Sequence, residues 1–297
     1  MNRREFLRTT PAAAAAALAL PAQTAGEFTF VHFTDTHIQP ELRAAEGCLR
    51  CFRKINELKP DFAVAGGDLV FDVLETGPAR ARELFDLYTK TLGEISVKTH
   101  NVIGNHDIYG LFPKSGVGPG DPMYGKKLYE DRLGRRYYSF NHKGWHFIVL
   151  DSIGITPERE YIGLIDQEQM AWLAADLEAA GAGTPVIVVT HIPLVTGFPA
   201  YGMAPGASTR GMVVTNARAV VALLARYNVK AVLQGHTHVR EIVHYAGCQY
   251  ITSGAVCGNW WRGARMGHPE GFALLRVRGG QVEWSYQTFG FVAEAKG

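Results

Sequence analysis

The stretch Val102–Asp107 reads VIGNHD and sets an amide, an imidazole and a carboxylate directly after two apolar residues and a glycine. The apolar pair is suited to the end of a buried strand, and the glycine permits a sharp change of direction. A surface turn favours Gly, Asn or Asp, but it has no need of a histidine. We therefore interpret Asn105, His106 and Asp107 as residues that face a shared site rather than bulk water.

The same arrangement recurs at four other predicted strand ends. In each, an apolar segment is followed at once by Asp or His. The four segments are FTFVHFTDTH, which contains Asp35 and His37, DFAVAGGD, which ends at Asp68, PVIVVTH, which ends at His191, and KAVLQGHTH, which contains His236 and His238.

Helical patterns separate these strands along the chain. Apolar periodicity predicts helices over residues of about 41–58 and 78–95, over QEQMAWLAADLEAA, and in NARAVVALLARYN, a helix that we expect Thr215 to open. Asp166 and Gln169 form a predicted capping box before the third of these helices. Alternating strands and helices indicate an α/β protein with partly parallel sheets, in which the carboxyl ends of the strands form the ligand crevice.

Two further segments read as β-hairpins and two as long loops. The hairpins have their predicted turns near Lys143–Gly144 and at Gly279–Gly280, and they indicate a second sheet packed on the first. The loops, about 108–133 and 194–212, are polar and rich in Gly and Pro. Both follow site-bearing strands, so we expect them at the rim of the crevice.

Residues 1–25 have the layout of an export signal. Basic MNRREFLRTT precedes the alanine-rich PAAAAAALAL, and small residues suited to cleavage follow, after Ala22 or Ala25. The adjacent Arg3 and Arg4 resemble a bacterial twin-arginine signal, and the alternative is an amphipathic first helix. We expect residues 26–297 to form a single domain that the twin-arginine machinery exports to the periplasm or out of the cell.

The exported part of the chain carries no excess charge. Of the 297 residues, 47% are hydrophobic and 20% are charged, a globular composition. Removal of residues 1–25 lowers the totals of 30 basic and 28 acidic residues to 27 each. A neutral chain argues against a broad polyanion-binding surface, so we expect no nucleic-acid polymer as a partner. No remaining apolar run is long enough for a stable membrane span.

The four cysteines fall into two pairs. Cys48 and Cys51 lie on or beside the apolar face of the first predicted helix. We interpret them as buried packing thiols rather than a redox or zinc pair, because no second pair completes a zinc site. Cys248 and Cys257 lie in a predicted hairpin region, and the sequence alone does not decide whether they pair.

The candidate ligands combine imidazole nitrogens with carboxylate and amide oxygens, a set that suits first-row divalent metals. Taken singly, an Asp after a strand is often a helix cap, and a His is often a hydrogen-bonding loop residue. Five such strand ends in order indicate one shared site. The set is too large for one tetrahedral ion and fits two ions that share a carboxylate. It consists of Asp35, His37, Asp68, Asn105, His191, His236 and His238.

The motifs DTH, GGD, GNHD, TH at Thr190–His191 and GHTH resemble, in this order, those of calcineurin-like metallophosphoesterases. The resemblance covers most of the exported chain. It implies a four-layer α/β/β/α sandwich of two mixed sheets flanked by helices, in agreement with the strand pattern. It also implies two divalent ions as cofactors, such as Mn, Fe or Zn. Phe71 stands where purple acid phosphatases place a tyrosine ligand, so we do not expect that subfamily.

The resemblance also implies a role for each residue. One ion would be bound by Asp35, His37 and His238, the other by Asn105, His191 and His236, and both by Asp68. His106 would protonate the leaving oxygen, and Asp107 would orient His106.

The implied reaction is hydrolysis of a small phosphoester by attack of a metal-bound hydroxide. We expect a phosphodiester, by resemblance to cyclic-nucleotide-type phosphodiesterases. A phosphatase or nucleotidase acting on monoesters is the alternative, followed by a non-catalytic binding protein on the same fold. In GAVCGNWWRG, Trp260, Trp261 and Arg262 would contact substrate if they are exposed. If they are buried, the tryptophans only cover the sheet.

Overall fold

Two large β-sheets pack face to face in the part of the chain that the computed structural model describes, residues 26–294. The predicted signal peptide lies outside the described residues. The strands are β1 Phe28–Phe33, β2 Phe62–Ala65, β3 Thr99–Asn101, β4 Tyr138–His142, β5 Trp145–Val149, β6 Ile153–Ile155, β7 Tyr161–Gly163, β8 Val186–Val189, β9 Val229–Gln234, β10 Arg240–Tyr245, β11 Cys248–Ser253, β12 Phe272–Arg278 and β13 Gln281–Gln287. The helices are α1 Ala44–Leu58, α2 Pro78–Leu92, α3 Lys127–Leu133, α4 Gln167–Ala180, α5 Phe198–Gly202 and α6 Ala217–Leu224.

Both large sheets are mixed: antiparallel strands form one edge of the first sheet and both edges of the second, and the other strands are parallel. The first has the order β13-β12-β1-β2-β3, and the second has the order β10-β11-β9-β8-β5-β4. β1, β2 and β3 run parallel, as do β5, β8, β9 and β11. β6 and β7 form a separate small hairpin.

Side chains alternate between the two faces of each sheet. The inner faces pack against each other and the outer faces pack against helices, which gives four layers. Phe30 and Phe147 point into the space between the sheets, whereas Val31 and Ile148 face the outer helices. The inter-sheet core is rich in aromatic rings, and Phe30 lies with its centroid 5.0 Å from the ring of Phe62. Side chains at successive strand positions point to opposite faces, so each sheet has one face in each core. The predicted α/β/β/α sandwich is confirmed.

The predicted helices are present, with shifts at their ends. α1 begins at Ala44 rather than near residue 41, because Leu42 and Arg43 have left-handed backbone conformations, with φ of 53° and 55°. α2 ends at Leu92, three residues before the predicted end. α6 begins at Ala217, after Asn216. The prediction that Thr215 opens this helix is therefore wrong.

Half of the predicted capping box before α4 is formed. The Asp166 carboxylate accepts a hydrogen bond from the backbone N–H of Gln169 at 2.8 Å. The Gln169 side chain does not return to the cap but bonds to the backbone of Asp151. Tertiary contacts therefore compete successfully with the local motif.

The two long loops occupy different places. Residues of the second loop, which contains α5, line the pocket at the strand ends. In the first loop, Tyr109 and Met123 instead line a separate cavity of about 260 Å³. None of residues 108–133 lines the pocket at the strand ends. The expectation that the first loop forms part of the rim is therefore wrong.

All four cysteines are buried and free. Cys48 and Cys51 belong to the core between α1 and the first sheet, as predicted for packing thiols. Cys248 and Cys257 form no disulfide. The Cys257 sulfur instead lies 3.7 Å from Nδ1 of His238.

Candidate metal centre

Five parallel strands end at one place in the structure, and each is followed within a few residues by a predicted ligand. β1 leads to Asp35, β2 to Asp68, β3 to Asn105, β8 to His191 and β9 to His236. The two sheets face each other, so the loops from both meet above the inter-sheet core. This is the edge at which open α/β sheets bind ligands.

One group of ligand atoms is formed by Asp35, His37 and His238 together with Asp68. Nε2 of His238 lies 3.3 Å from Oδ1 of Asp35 and 3.2 Å from Nε2 of His37. Nε2 of His37 in turn lies 3.5 Å from Oδ2 of Asp68. All four side chains are buried, so nitrogen and oxygen atoms converge at a place shielded from bulk solvent.

A second group surrounds the other side of Asp68. Oδ2 of Asp68 lies 3.1 Å from Nε2 of His191, and this imidazole is 5.2 Å, centroid to centroid, from that of His236. The same carboxylate oxygen therefore faces both groups, as a bridging ligand would.

Several polar atoms of the centre lack partners within residues 26–294. They include both side-chain atoms of Asn105, both ring nitrogens of His236 and Nε2 of His191. Buried polar groups in native proteins are nearly always satisfied. Ligation of divalent ions would provide a partner for the amide oxygen of Asn105 and for one ring nitrogen each of His191 and His236, since such donors suit these ions. The residues present therefore fit a binuclear metal centre.

Hydrogen bonds to the backbone orient two of the imidazoles. Nδ1 of His191 lies 2.8 Å from the carbonyl oxygen of Gly66, and Nδ1 of His238 lies 2.6 Å from that of Gly258. Each Nδ1–H donates to its carbonyl, which leaves Nε2 as the free lone pair directed at the centre. Outer partners of this kind commonly fix the tautomer of metal-bound histidine.

The backbone at the centre is unusual as well. Five of the predicted ligands have left-handed φ values, between 38° and 72°: Asp35, His37, Asp68, His236 and His238. Non-glycine residues rarely adopt this region, and it is frequent at functional sites. The neighbouring Gly104 permits a close approach, because a Cβ there would lie 2.1 Å from the backbone nitrogen of Asp68.

Two histidines of the second group have pKa values shifted in opposite directions. Burial, reinforced by the charge of His191, lowers the pKa of His236 to about 4. Burial alone would also lower the pKa of His191, but the carboxylates of Asp68 and Asp35 outweigh it and raise the pKa to about 9. An ion that binds His191 must therefore displace a proton, whereas His236 is already neutral at pH 7.

His106 lines the pocket and its ring is accessible from it. Nδ1 of His106 lies 3.7 Å from Oδ2 of Asp72, a carboxylate that is four residues beyond Asp68. The His106 ring also lies 4.7 Å from that of His37. An imidazole at the pocket wall with a carboxylate behind it has the arrangement of a proton donor.

The role predicted for Asp107 needs correction. Its carboxylate accepts hydrogen bonds from the backbone N–H groups of Leu69, Val70 and Gly104, at 2.8, 3.2 and 2.8 Å. These bonds tie the loop after β2 to the loop after β3. Asp107 therefore holds the ligand-bearing loops together, and Asp72 is the carboxylate beside His106.

A pocket of about 310 Å³ opens over the centre. Asp68, His106, His236 and His238 lie at its base. Apart from Trp260, the remaining wall residues are not among the predicted site residues. Most of them come from β7, from α5 and the loop after it, and from the segment between β11 and β12. They are Tyr161, Phe198, Gly202, Met203, Met212, Thr237, Trp260 and Arg265.

The three predicted substrate contacts have different environments. Trp260 lines the pocket, with its indole 4.9 Å from the ring of His238. Trp261 is 1% exposed, and its Nε1 donates to the carbonyl oxygens of Thr36 and His37. Arg262 is exposed and does not line the pocket. The prediction is therefore wrong for Trp261 and Arg262, because successive residues in this turn point in different directions.

No sequence signal identified the missed residues with confidence. Asp72 lies close to GGD and was within reach of a motif-based search. Tyr161 begins the short strand β7 and Phe198 begins the short helix α5, and Met203, Met212 and Arg265 sit in loops without periodicity. Only the folded chain brings them together.

Known proteins resemble the chain in sequence and in fold. The model of the calcineurin-like phosphoesterase family matches residues 28–240. A curated relative from Xenorhabdus bovienii, named as a probable cyclic nucleotide phosphodiesterase, is 21% identical over 216 residues, which is 73% of this chain and 76% of the relative.

Solved structures share the fold. A dimetal phosphatase from Danio rerio superposes with a TM-score of 0.62 at 17% identity, covering 88% of this chain and 96% of the other. A purple acid phosphatase from yellow lupin, Lupinus luteus, superposes with a TM-score of 0.55 at 15% identity, covering 90% of this chain and 52% of the other. Since the family model spans more than half of the sequence, the chain belongs to the calcineurin-like phosphoesterase family.

Proposed function

We propose that this protein is a binuclear-metal-dependent phosphodiesterase that hydrolyses a small phosphodiester. The observation that carries the proposal is the convergence of the candidate carboxylate and imidazole ligands and His106 at one small pocket. Two divalent ions, when bound, would neutralise the phosphoryl oxygens and activate a water molecule for attack. The ion identity stays open among Mn, Fe, Zn and similar metals.

The protein's own residues would position the substrate and supply a proton. Asp68 lies at the middle of the centre and holds the two groups of ligands in register. His106 would donate a proton to the departing oxygen, and Asp72, 3.7 Å from its Nδ1, would orient the ring. The apolar side chains of the wall would exclude water from the reaction.

The walls of the pocket favour a diester over a monoester. A diester carries one negative charge and a second organic arm, and the arm needs an apolar surface. Phe198, Met203, Met212 and Trp260 provide one. The name of the Xenorhabdus bovienii relative supports the same choice.

A phosphomonoesterase, a phosphatase or nucleotidase, is the second candidate. Two divalent ions against the carboxylates of Asp35 and Asp68 leave a net charge of about +2, which suits a dianionic monoester. A non-catalytic binding protein is disfavoured, because such a protein has no need of His106 beside a complete ligand set.

A panel of phosphoesters tests the choice. The protein should be loaded with Mn²⁺, Fe²⁺ or Zn²⁺ and assayed with bis(p-nitrophenyl) phosphate, p-nitrophenyl phosphate and cyclic nucleotides. We expect a higher kcat/KM for the diesters and loss of activity on chelation. A preference for the monoester would favour the second candidate, and no hydrolysis of any ester by metal-loaded protein would contradict an enzymatic role.

We also propose that the protein is exported by the twin-arginine machinery to the periplasm or beyond. The support is the sequence of residues 1–25, with Arg3 and Arg4 ahead of an alanine-rich segment. Among residues 26–294 no helix combines the length and the apolarity that crossing a bilayer requires. Changing both arginines to lysine should retain the precursor in the cytoplasm. Normal export of the double variant would contradict this route.

A further inference from the structure

Arg265 is a cation in the pocket wall with an unused hydrogen-bond donor. Its Nε is buried and has no hydrogen-bond partner within residues 26–294, although the side chain as a whole is partly exposed to the pocket. A buried donor that makes no bond costs free energy. Because the partly exposed side chain lines the pocket, an anion bound there could pair with the guanidinium group.

The surroundings of Arg265 link it to the metal centre through one aromatic ring. Its Cζ lies 5.6 Å from the ring centroid of Trp260, and the same indole lies 4.9 Å from the ring of His238. The same pocket is also lined by the apolar side chains of Phe198 and Met203. A molecule bound at the metal centre would therefore share the pocket with apolar surface and with the positive charge of Arg265.

We propose that Arg265 determines substrate specificity by binding a second anionic group, distinct from the phosphate that is hydrolysed. Trp260 would pack against the part of the substrate between the two groups. The substrate class is then a small phosphodiester with a carboxylate or phosphate at the end of one ester arm. The proposal rests on the proposed phosphodiesterase function.

The geometry of the guanidinium suits this task. It offers paired N–H donors that match the two oxygens of a carboxylate or phosphate. The scissile phosphate has its own place near Asp68 and His106, which already face the metal ligands. A volume of about 310 Å³ fits a small molecule rather than a polymer, since ligand pockets begin at about this size.

Two matched substrates and two matched variants test the inference. The substrates are 3-carboxypropyl p-nitrophenyl phosphate and its neutral isostere, 3-carbamoylpropyl p-nitrophenyl phosphate. The variants are Arg265→Gln and, as control, Arg262→Gln, which removes a nearby exposed arginine outside the pocket. We expect Arg265→Gln to lower kcat/KM for the carboxylate about 10- to 100-fold, as for loss of a charge-assisted hydrogen bond. The amide substrate should change less than about twofold, and Arg262→Gln should leave both substrates unchanged within that range.

Other outcomes would overturn the inference. An equal loss on both substrates would mean that Arg265 contacts the scissile phosphate, and no loss on either would mean that it contacts neither group. Arg265→Lys should restore part of the carboxylate preference. If Arg265→Gln unfolds at a lower temperature than the wild type, the carboxylate preference of Arg265→Lys decides whether Arg265 binds the second anionic group.

Binding measurements separate this inference from the proposed function. Calorimetric titration of the metal-loaded protein with non-hydrolysable phosphonate analogues of the two substrates reports binding without turnover. Wild-type protein should bind the carboxylate analogue more tightly, and Arg265→Gln should abolish the difference. If the wild type hydrolyses neither ester, the phosphodiesterase proposal fails. The titration still decides the role of Arg265, and equal binding of the two analogues by the wild type would contradict it.

Discussion

The floor and the rim of the pocket are built in different ways. The floor, defined here as the seven predicted ligands Asp35, His37, Asp68, Asn105, His191, His236 and His238, follows directly after parallel strands and is almost entirely buried. The rim, defined as Tyr161, Phe198, Met203, Met212, Trp260 and Arg265, comes from β7, from α5 and the loop after it, and from the segment between β11 and β12, and it is mainly apolar. The strand ends therefore fix the positions of the candidate ligands, whereas the rim residues are the ones that would contact a substrate.

The floor is held in place by contacts that the rim lacks. Left-handed backbone conformations cost of the order of 1–3 kcal/mol each and persist only where the surroundings impose them. Asp107 holds the left-handed conformation of Asp68 by accepting a hydrogen bond from the N–H that follows it. Trp261 holds that of His37 by donating to its carbonyl oxygen. Substitutions in these supports should therefore affect stability, while substitutions in the rim should affect KM.

His106 should give the largest effect that leaves the floor intact. A nitrophenolate departs without a proton, but an alkoxide requires one. His106→Ala should therefore slow hydrolysis of alkyl esters by about 10²–10⁴-fold, the usual range for a general acid, and nitrophenyl esters far less. Steady-state kinetics on both ester classes measures this, with metal content as the control. Equal slowing of both classes with the metals retained would show that His106 positions phosphate instead.

The adjacent residues Trp260 and Trp261 belong to different regions: Trp260 is part of the rim, and Trp261 supports the floor. Trp261 is buried against Gly47, where an added Cβ would lie 2.1 Å from its ring. Trp261→Ala should lower the free energy of unfolding by about 3–5 kcal/mol, as for other buried aromatic residues. Trp260→Ala should change stability by less than about 1 kcal/mol and raise KM about tenfold, since stacking contacts are worth about that much. Chemical denaturation and kinetics measure the pair, and a reversed result would invalidate the division into floor and rim.

Asp107 and Asp72 separate a structural role from a role in proton donation. Asp107→Asn removes one carboxylate oxygen from a group that accepts three backbone hydrogen bonds, so the free energy of unfolding should fall by about 1–3 kcal/mol. Asp72→Asn keeps an acceptor for the N–H of Leu74 and should leave stability unchanged while slowing alkyl esters. Denaturation and ester kinetics check both variants. If Asp107→Asn slows alkyl esters selectively without destabilisation, the original assignment of Asp107 as the partner of His106 is restored.

His32 gives an effect of a different kind, one that depends on pH. Nδ1 of this buried residue lies 2.7 Å from Oγ of Ser253, a contact between the two sheets. Burial lowers its pKa to about 3, although the charge of Asp35 opposes this. Below pH 6.5 the unfolded chain takes up a proton that the native chain does not. The contribution of His32 to stability is therefore full above pH 6.5 and is lost toward pH 3, by up to about 1.4 kcal/mol per pH unit.

His32→Asn isolates that contribution. Its amide can retain a bond to Ser253, and its cost in packing does not depend on pH. The free-energy difference between wild type and variant, measured by denaturation at pH 7, 6, 5 and 4, should shift in favour of the variant as pH falls. A constant difference over this range would contradict the low pKa.

The floor could be predicted from the sequence because strand ends are visible in it. Each ligand follows an apolar run and a small residue, as Asp68 follows two glycines. Parallel strands must end on the same edge of a sheet, so these local signals were enough to bring distant residues together. The hairpin turns at Lys143–Gly144 and Gly279–Gly280 were predictable for a similar reason, since their chemistry is local.

The rim could not be predicted, because its members share no local pattern. Arg262 and Arg265 are indistinguishable in sequence, and the turn after Trp260 alone decides which one reaches the pocket. Asp107 was misassigned because adjacency in sequence suggested contact with His106, whereas its side chain turns back to the loop after β2. Such choices depend on three-dimensional packing.

The most direct test of a binuclear metal centre is to locate the metal ions in the folded protein. Crystals of the Mn²⁺-loaded protein should be measured for anomalous scattering at the manganese edge. We predict two peaks, one contacting Asp35, His37 and His238 and the other contacting Asn105, His191 and His236, with the Asp68 carboxylate touching both. A single peak, or two peaks that do not share Asp68, would contradict a binuclear centre.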